Sequence, residues 1–484
     1  MPRQLDAPLD QPIFSEPGIT ADPIGFGTPH PSDSGTYAQI GSLLKTEVVG
    51  FPASRVADDG LFPLADAYGA RGADVVAQIQ AAGRITFHAV GDTGASDVRK
   101  YANELRVADQ LSADAVTSEA SNRAAFFFHL GDVVYNFGES GYYYDQFYEP
   151  LRAYPAPIIA IPGNHDSFVL PGTVPGDEPL TTFARQFCAE TPMITREAGS
   201  LHRTAMTQPG VYFALDAPFV RVIGLFSNAL EDPGVISSEG GRWPAVPDTQ
   251  LAFLAAQLNR IKTEAYAGAV LIAVHHPPFV YSPPPGSGGA GGNHGSSSDM
   301  LRDIDTMCQA AGVYPHAVLS AHAHCYQRYT RHVTLGDKSI QVPFVVCGSG
   351  GHNINPLVRA TRGAGAGLPE NGADVGYLEV DPAVSVTGLT LEKYDDHNYG
   401  YLRISVDAQQ LRIAFHQANV GAIVQSRFDL VTVDIATHLL AVNTSAPAGT
   451  PKVPIGGGSP TGGGANLPGG APHHRHPHHP PRIK

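Results

Sequence analysis

The sequence predicts an α/β fold, and three observations lead there. Apolar, strand-like runs alternate with segments of helical character from residue 84 onward. Five of the runs end in a short motif that puts Asp, Asn, His or Tyr at the strand terminus. Toward the C-terminus, the runs at 401–406 and 411–416 are spaced to pair as a hairpin, which adds antiparallel character.

Residues 1–83 are rich in Pro, Gly and Asp and are expected to form an irregular surface arm with a short helix near 72–81. Ile85–Val90 is a strand ending at Gly91-Asp92. Residues 97–111 are helical, with Val98, Tyr101, Leu105, Val107 and Leu111 proposed for one face. Ala124–Leu130 is a second strand, ending at Gly131-Asp132, and Ile158–Ile161 a third, ending at Pro162-Gly163-Asn164. Residues 220–226 and 269–274 are apolar strands, and the helix between them is expected to start at an Asp248 N-cap and run to about Thr263. A helix over 299–311 and strands over 317–319 and 343–347 complete the series. The low-complexity stretch 282–298 reads as a flexible loop that starts beside the motif at 275. Residues 436–484 read as a tail, Gly/Pro-rich from 445 and His-rich at 473–479, too poor in apolar residues to build a core.

A chain of 484 residues holds one large domain or two to three average ones. Its 43 % hydrophobic and 16 % charged residues suit a globular core. A net charge of −14 argues against a broad nucleic-acid-binding face, which needs clustered Lys and Arg. No apolar run reaches the roughly 18 residues of a membrane span. The first 30 residues lack the apolar centre of a signal peptide, so a cytoplasmic location is the default, with export if a signal is missing from this chain. Cys188, Cys308, Cys325 and Cys347 have no CxxC spacing and are expected as free thiols, with the Cys325 side chain turned away from its neighbour His324.

The motifs carry the chemistry. In order they are Gly91-Asp92-Thr93-Gly94, Gly131-Asp132-Val133-Val134-Tyr135, Gly163-Asn164-His165-Asp166, Val274-His275-His276-Pro277 and Ala321-His322-Ala323-His324. Together they offer enough oxygen and nitrogen ligands for two adjacent metal ions, the arrangement that clamps the attacking and leaving oxygens of a phosphoryl transfer.

Over roughly residues 84–420 this ordered set resembles the calcineurin-like metallophosphoesterases, and within them the purple acid phosphatase branch. Cys325-Tyr326-Gln327-Arg328, Cys347-Gly348-Ser349-Gly350-Gly351 and Tyr399-Gly400-Tyr401-Leu402 are similar to the flanking patterns of that family. The resemblance implies an α/β/β/α sandwich of two mixed sheets flanked by helices, with a catalytic domain over 84–435. It implies metal 1 on Asp92, Asp132, Tyr135 and His324, and metal 2 on Asp132, Asn164, His275 and His322, with Asp132 bridging. His165 and His294 are implied as substrate contacts or proton donors; His294 is equally readable as an exposed loop histidine. His276 is expected behind the ligands and not among them.

One exchange sharpens the metal expectation. Where the wider superfamily has a histidine in the first motif, this chain has Gly94, and where it has an aspartate in the second, this chain has Tyr135. A phenol with an ordinary pKa of about 10 ionises only on a strongly acidic cation, which points to Fe(III) paired with divalent Fe, Zn or Mn. The alternative is that Tyr135 merely packs beside the site. Ala321 in place of the family's Gly and Asp166 in place of its frequent Glu are departures.

The implied function is a phosphomonoesterase acting on a phosphorylated small molecule or peptide. The alternatives are a phosphodiesterase on the same centre and a non-catalytic metal-binding or interaction module. The tail could gather metal ions, or be a biased segment without a role. Tyr142-Tyr143-Tyr144 could stack on an aromatic leaving group or simply pack. Substrate identity and oligomeric state are not legible at this level.

Overall fold

Two mixed β-sheets flanked by helices make up the protein, seen here in a computed structural model. It describes residues 5–15, 25–30, 60–169, 177–281, 294–357, 373–374, 389–418 and 426–441. The first eight strands are β1 (Leu61–Pro63), β2 (Arg84–Val90), β3 (Ala124–His129), β4 (Ile158–Ala160), β5 (Phe213–Ala217), β6 (Val220–Leu225), β7 (Ala269–Val274) and β8 (Ala317–Ser320). The others are β9 (Tyr326–Leu335), β10 (Lys338–Cys347), β11 (Ala373–Asp374), β12 (Leu389–Asp395), β13 (Gly400–Asp407), β14 (Gln410–Gln417), β15 (Ser426–Asp434) and β16 (Leu439–Leu440). The helices are α1 (Leu64–Ala67), α2 (Gly72–Ala82), α3 (Val98–Thr117), α4 (Thr181–Phe187), α5 (Thr249–Thr263) and α6 (Ser298–Ala311).

One sheet has seven strands in the order β16-β15-β14-β13-β2-β3-β4, the other nine in the order β1-β5-β6-β7-β8-β10-β9-β12-β11. Strands β2, β3 and β4 are parallel neighbours, as are β6, β7, β8 and β10. The expected hairpin forms, with Tyr401 opposite His416 and Leu411 opposite Val406.

Strand β7 shows why the sheets bury both faces. Successive side chains of a strand point to opposite sides. Ala269, Leu271 and Ala273 join the core between the sheets, where Phe128 and Phe213 approach to 6.1 Å between ring centroids. Val270, Ile272 and Val274 face the other way, into a second core with Leu254 and Leu258 of α5 and Leu301 and Ile304 of α6. A strand covered on both faces reads as a continuous apolar run, which is how its sequence looks.

Several expectations need correction. Residues 60–82 are not an irregular arm: β1 pairs with β5, and Phe62, Leu64 and Tyr68 are buried, the Tyr68 hydroxyl donating to Ala125 O over 2.5 Å. A three-residue strand containing Pro63 has no periodicity to detect. The tail boundary at 436 also falls too early, because β16 pairs with β15. Asp248 occupies the N-cap position of α5 without capping it; its Oδ1 accepts from Ser238 N at 2.7 Å. The effective cap is Asp97, which accepts from Arg99 N and Lys100 N at the start of α3. Helix α3 runs on to Thr117 and buries Tyr101, Val107 and Leu111, but leaves Val98 exposed.

Strand β9 was invisible because polar residues run through it. Arg328 is one of them, and it forms a two-pronged ion pair with Asp429 of β15 at 2.6 and 3.1 Å, tying the two sheets together. The cysteines are free, three buried and Cys188 half-buried. Among the described residues no helix is long and apolar enough to cross a membrane. The stretch 282–293 and the Gly/Pro/His-rich run 445–484 lie outside the described residues.

Candidate metal centre

The parallel strands of both sheets deliver their C-terminal ends to one place. Asp92 follows β2, Asp132 follows β3 and Asn164 follows β4; His275 follows β7, His322 follows β8 and His324 leads into β9. Three of these residues have left-handed backbone, Asp92 at φ 57°, Asp132 at 54° and His322 at 63°. That region disfavours residues with a Cβ, so surrounding contacts must hold it. They do: His322 N donates to Asp92 Oδ2 at 2.7 Å and His165 N to Asp132 Oδ1 at 2.9 Å. Each carboxylate thus spends one oxygen on a neighbouring loop and turns the other inward.

The inward atoms form two linked groups. Tyr135 Oη is 2.9 Å from Asp92 Oδ1, 2.8 Å from Asp132 Oδ2 and 3.2 Å from His324 Nε2. His324 Nε2 is 3.4 Å from Asp92 Oδ1. In the second group His275 Nε2 is 3.3 Å from Asp132 Oδ2 and 3.1 Å from Asn164 Oδ1, which is also 3.1 Å from His322 Nδ1. Asp132 Oδ2 belongs to both groups.

This donor set fits metal ions. One phenol proton cannot serve three acceptors. Atoms ligating one cation at about 2.0–2.2 Å stand about 2.8–3.6 Å from one another, as these do. Asp132, His275 and His322 form a buried group of metal-binding geometry.

Position 94 explains the exchange with Tyr135. A Cβ on Gly94 would meet Val133 O at 2.6 Å and Val134 Cα at 2.7 Å, so no histidine can stand there. The phenol of Tyr135 enters the group from the next loop, its backbone braced on both sides by the Gln146 amide at 2.7 and 2.6 Å.

A sequence model described as calcineurin-like phosphoesterase matches residues 85–326, half of the 484-residue chain. The chain belongs to the calcineurin-like phosphoesterase family. Such a domain implies metal-dependent phosphoester hydrolysis. No curated protein matches the chain. Among solved structures, PhoD is similar at 14% identity, covering 76% of this chain and 73% of that one, with a TM-score of 0.40. GAP50, the anchor in the inner membrane complex of Plasmodium, is similar at 12% identity, covering 76% of this chain and 99% of its own, with a TM-score of 0.41.

In this phosphoesterase the site is strongly polarised. Burial works to raise the Asp132 carboxyl, but the neighbouring imidazoles of His275 and His165 outweigh it and hold it well below the usual range. Burial likewise opposes charge on His275, and Asp132 overrides it, pushing the imidazole up to about 9. Burial and the two adjacent carboxylates push the Tyr135 phenol well above its ordinary value. A phenol so placed releases its proton only to a cation that replaces it.

The two proposed proton donors stand differently. His165 Nδ1 donates to Asn136 O at 2.7 Å, which leaves Nε2 facing the group, 4.0 Å from Asp132 Oδ2. His294 packs its ring 4.0 Å from that of His322 and 5.3 Å from that of His324, with its Nδ1 3.8 Å from Glu231 Oε1. It is 17% exposed in its side chain, so it is no free loop histidine. His276 uses both nitrogens elsewhere, on Ser227 Oγ at 2.7 Å and Leu230 O at 2.8 Å. Cys325 is buried and its Sγ accepts from Gln327 Nε2, outside the donor set. Tyr143 is buried, and Tyr142 and Tyr144 pack against the same core.

Four residues escaped the sequence reading. Asp166 accepts from Val133 N, Val134 N and Gly163 N at 2.8–3.1 Å and so joins the loops that carry Asp132 and Asn164. His352 stacks on Tyr135. Glu231 accepts from Asn164 Nδ2, and Asp232 approaches His322 Nε2. Only Asp166 carried a signal, as a departure within a motif; the others belong to no recognisable spacing.

Proposed function

We propose that this phosphoesterase is a phosphomonoesterase with a dinuclear centre, Fe(III) beside a divalent Fe, Zn or Mn. Asp92, Tyr135 and His324 would hold the first ion, Asn164, His275 and His322 the second, and Asp132 both. The observation that carries the reading is Asp132 Oδ2, which lies 2.8 Å from Tyr135 Oη on one side and 3.3 Å from His275 Nε2 on the other. When bound, the ions neutralise phosphoryl oxygens and acidify the attacking water.

The chain's own groups do the rest. Asp92 and Asp132 supply negative charge that offsets the repulsion between two cations. Asn136 O holds the Nδ1 proton of His165, so Nε2 faces the reacting phosphate and, once protonated from solvent, can pass that proton to the leaving oxygen, leaving the imidazole neutral. His294, whose ring packs against those of His322 and His324, can contact the phosphoryl oxygens. No side chain is needed as a covalent nucleophile. The substrate would be a phosphorylated small molecule or peptide.

Elemental analysis of purified protein, together with hydrolysis of an aryl phosphate monoester and the matching diester, tests the reading. Two metal equivalents including iron and faster monoester turnover are expected. One equivalent refutes the dinuclear centre, and faster diester turnover makes the protein a phosphodiesterase. Absence of phosphate release from metal-replete protein reduces it to a binding module.

A further inference from the structure

We propose that Glu231 and Asp232, adjacent in the loop that follows β6, are positioning residues for the second metal ion. The proposal rests on the dinuclear reading above. Asn164 can present either its oxygen or its amide nitrogen to the site, and only the oxygen can bind a cation. Its Oδ1 faces His275 and His322 because Nδ2 is taken by a group that solely accepts, Glu231 Oε2, at 3.2 Å. His322 poses the same problem with its ring nitrogens. The residue is 1% exposed, Nδ1 faces Asn164 Oδ1, and Nε2 is buried with no hydrogen-bond partner among the described residues. Asp232 Oδ1 approaches Nε2 to 3.6 Å. At 3.6 Å the carboxylate acts by its charge and not through a hydrogen bond, favouring the ring proton on Nε2 and so the lone pair of Nδ1 on the metal side.

The pair is itself held in place. Asp232 Oδ1 accepts from Gly295 N at 2.7 Å, and Gly234 N donates to Ser297 Oγ at 2.7 Å, so the loop is pinned to the chain that carries His294. Glu231 Oε1 lies 3.8 Å from His294 Nδ1. Two consecutive residues therefore govern the orientation of one amide and one imidazole on the second ion, and border the proposed substrate histidine. Both side chains are more than a third exposed, at 45% and 40%, so their removal leaves no large core cavity.

The test is a zinc titration of metal-depleted full-length protein by calorimetry, comparing wild type with Glu231→Ala, Glu231→Gln and Asp232→Ala. The first equivalent is expected to bind all four proteins alike. The second is expected to weaken about 10- to 100-fold in both alanine variants. It should recover in Glu231→Gln, whose amide oxygen still accepts from Asn164. Alanine variants that bind the second equivalent within twofold of wild type overturn the proposal. So does a third wild-type equivalent lost in Asp232→Ala, because Asp232 would then be a ligand. A wild type that takes one equivalent only refutes the dinuclear centre instead, and does so before any variant is compared.

Discussion

The imidazole of His352 lies face to face with the phenol of Tyr135, ring centroids 3.5 Å apart and planes 23° from parallel. His352 Nδ1 donates to Gly94 O at 2.7 Å, so Nε2 accepts from Lys100 Nζ at 2.8 Å. His165 covers the other face of the phenol at 4.2 Å. Tyr135 therefore cannot swing away from Asp92 and Asp132. On the ferric reading, Tyr135→Phe removes the visible absorption of the purified protein and leaves its thermal midpoint within a few degrees. A band that survives the substitution excludes Tyr135 as the chromophore. His352→Ala is expected to weaken retention of the first ion about tenfold, read by dialysis against a chelator.

Asp132 and Asn164 should differ in how many ions their loss releases. Asp132 Oδ2 stands in both donor groups, whereas Asn164 Oδ1 stands in one. Elemental analysis should find neither ion tightly held in Asp132→Ala and one ion in Asn164→Ala. Two ions in Asp132→Ala would show that no carboxylate bridge exists.

His165 is expected to act on the leaving group and not on the metals. His165→Asn should lower kcat by about 10²- to 10⁴-fold on an alkyl phosphate. The loss should be much smaller on a nitrophenyl phosphate, whose leaving oxygen needs no proton. Equal losses on both substrates would argue for phosphoryl-oxygen stabilisation instead.

Asp166 links two ligand loops through three backbone N–H groups. In Asp166→Asn an amide NH₂ must face at least one of those donors. The expected cost is about 1–3 kcal/mol of unfolding free energy in urea, together with looser metal binding. A variant as stable as the parent would mean that the loops are held by the metals alone.

A buried His88–Asp114 pair, joined by the partly buried Arg403, is expected to shape acid stability. His88 Nε2 lies 2.8 Å from Asp114 Oδ2, which also accepts from Arg403 Nη1 at 2.8 Å, and His88 Nδ1 meets the Tyr154 hydroxyl at 3.0 Å. Burial lowers the His88 pKa and wins over Asp114, so the imidazole is neutral. Burial works to raise the Asp114 carboxyl, but the hydrogen bond from His88 and the charge and hydrogen bond of Arg403 hold it below the usual range. With His88 neutral, Arg403 supplies the ionic part. Both shifts mean that the unfolded chain binds more protons, so stability rises with pH. It should fall as pH drops below about 6.5, where an unfolded histidine protonates, and further below about 4, where an unfolded aspartate does. Asp114→Asn is expected to cost about 1–3 kcal/mol by weakening the acceptor shared by His88 and the partly buried Arg403, which keeps its bond to Asn122 O, and to flatten the lower part of that profile. Unfolding midpoints measured from pH 2 to 8 check both.

The strands that carry the site were legible because each is an apolar run closed by a polar motif. Strands β2, β3, β4, β7 and β8 fall where the pattern puts them, and the seven proposed ligands sit at their ends. Strand β1 was not legible, since three residues with a proline show no period, and β9 was hidden by residues such as Arg328 whose charge is satisfied by Asp429 on the other sheet. Glu231, Asp232 and His352 were missed for a related reason: nothing in their neighbours along the chain distinguishes them from surface residues.

By itself, then, the sequence determined the alternation of elements, the inventory of donor atoms and the pairing of Gly94 with Tyr135, all properties of short stretches of chain. Only the tertiary structure decided which atoms meet. Asp92 and His322 are 230 residues apart, yet they share a hydrogen bond because the ends of two separate sheets converge. The sharing of Asp132 Oδ2 between two donor groups, the stacking of His352 on Tyr135 and the reach of Glu231 to Asn164 all depend on that convergence. No local pattern encodes it, because it is set by how the two sheets pack across their common apolar core.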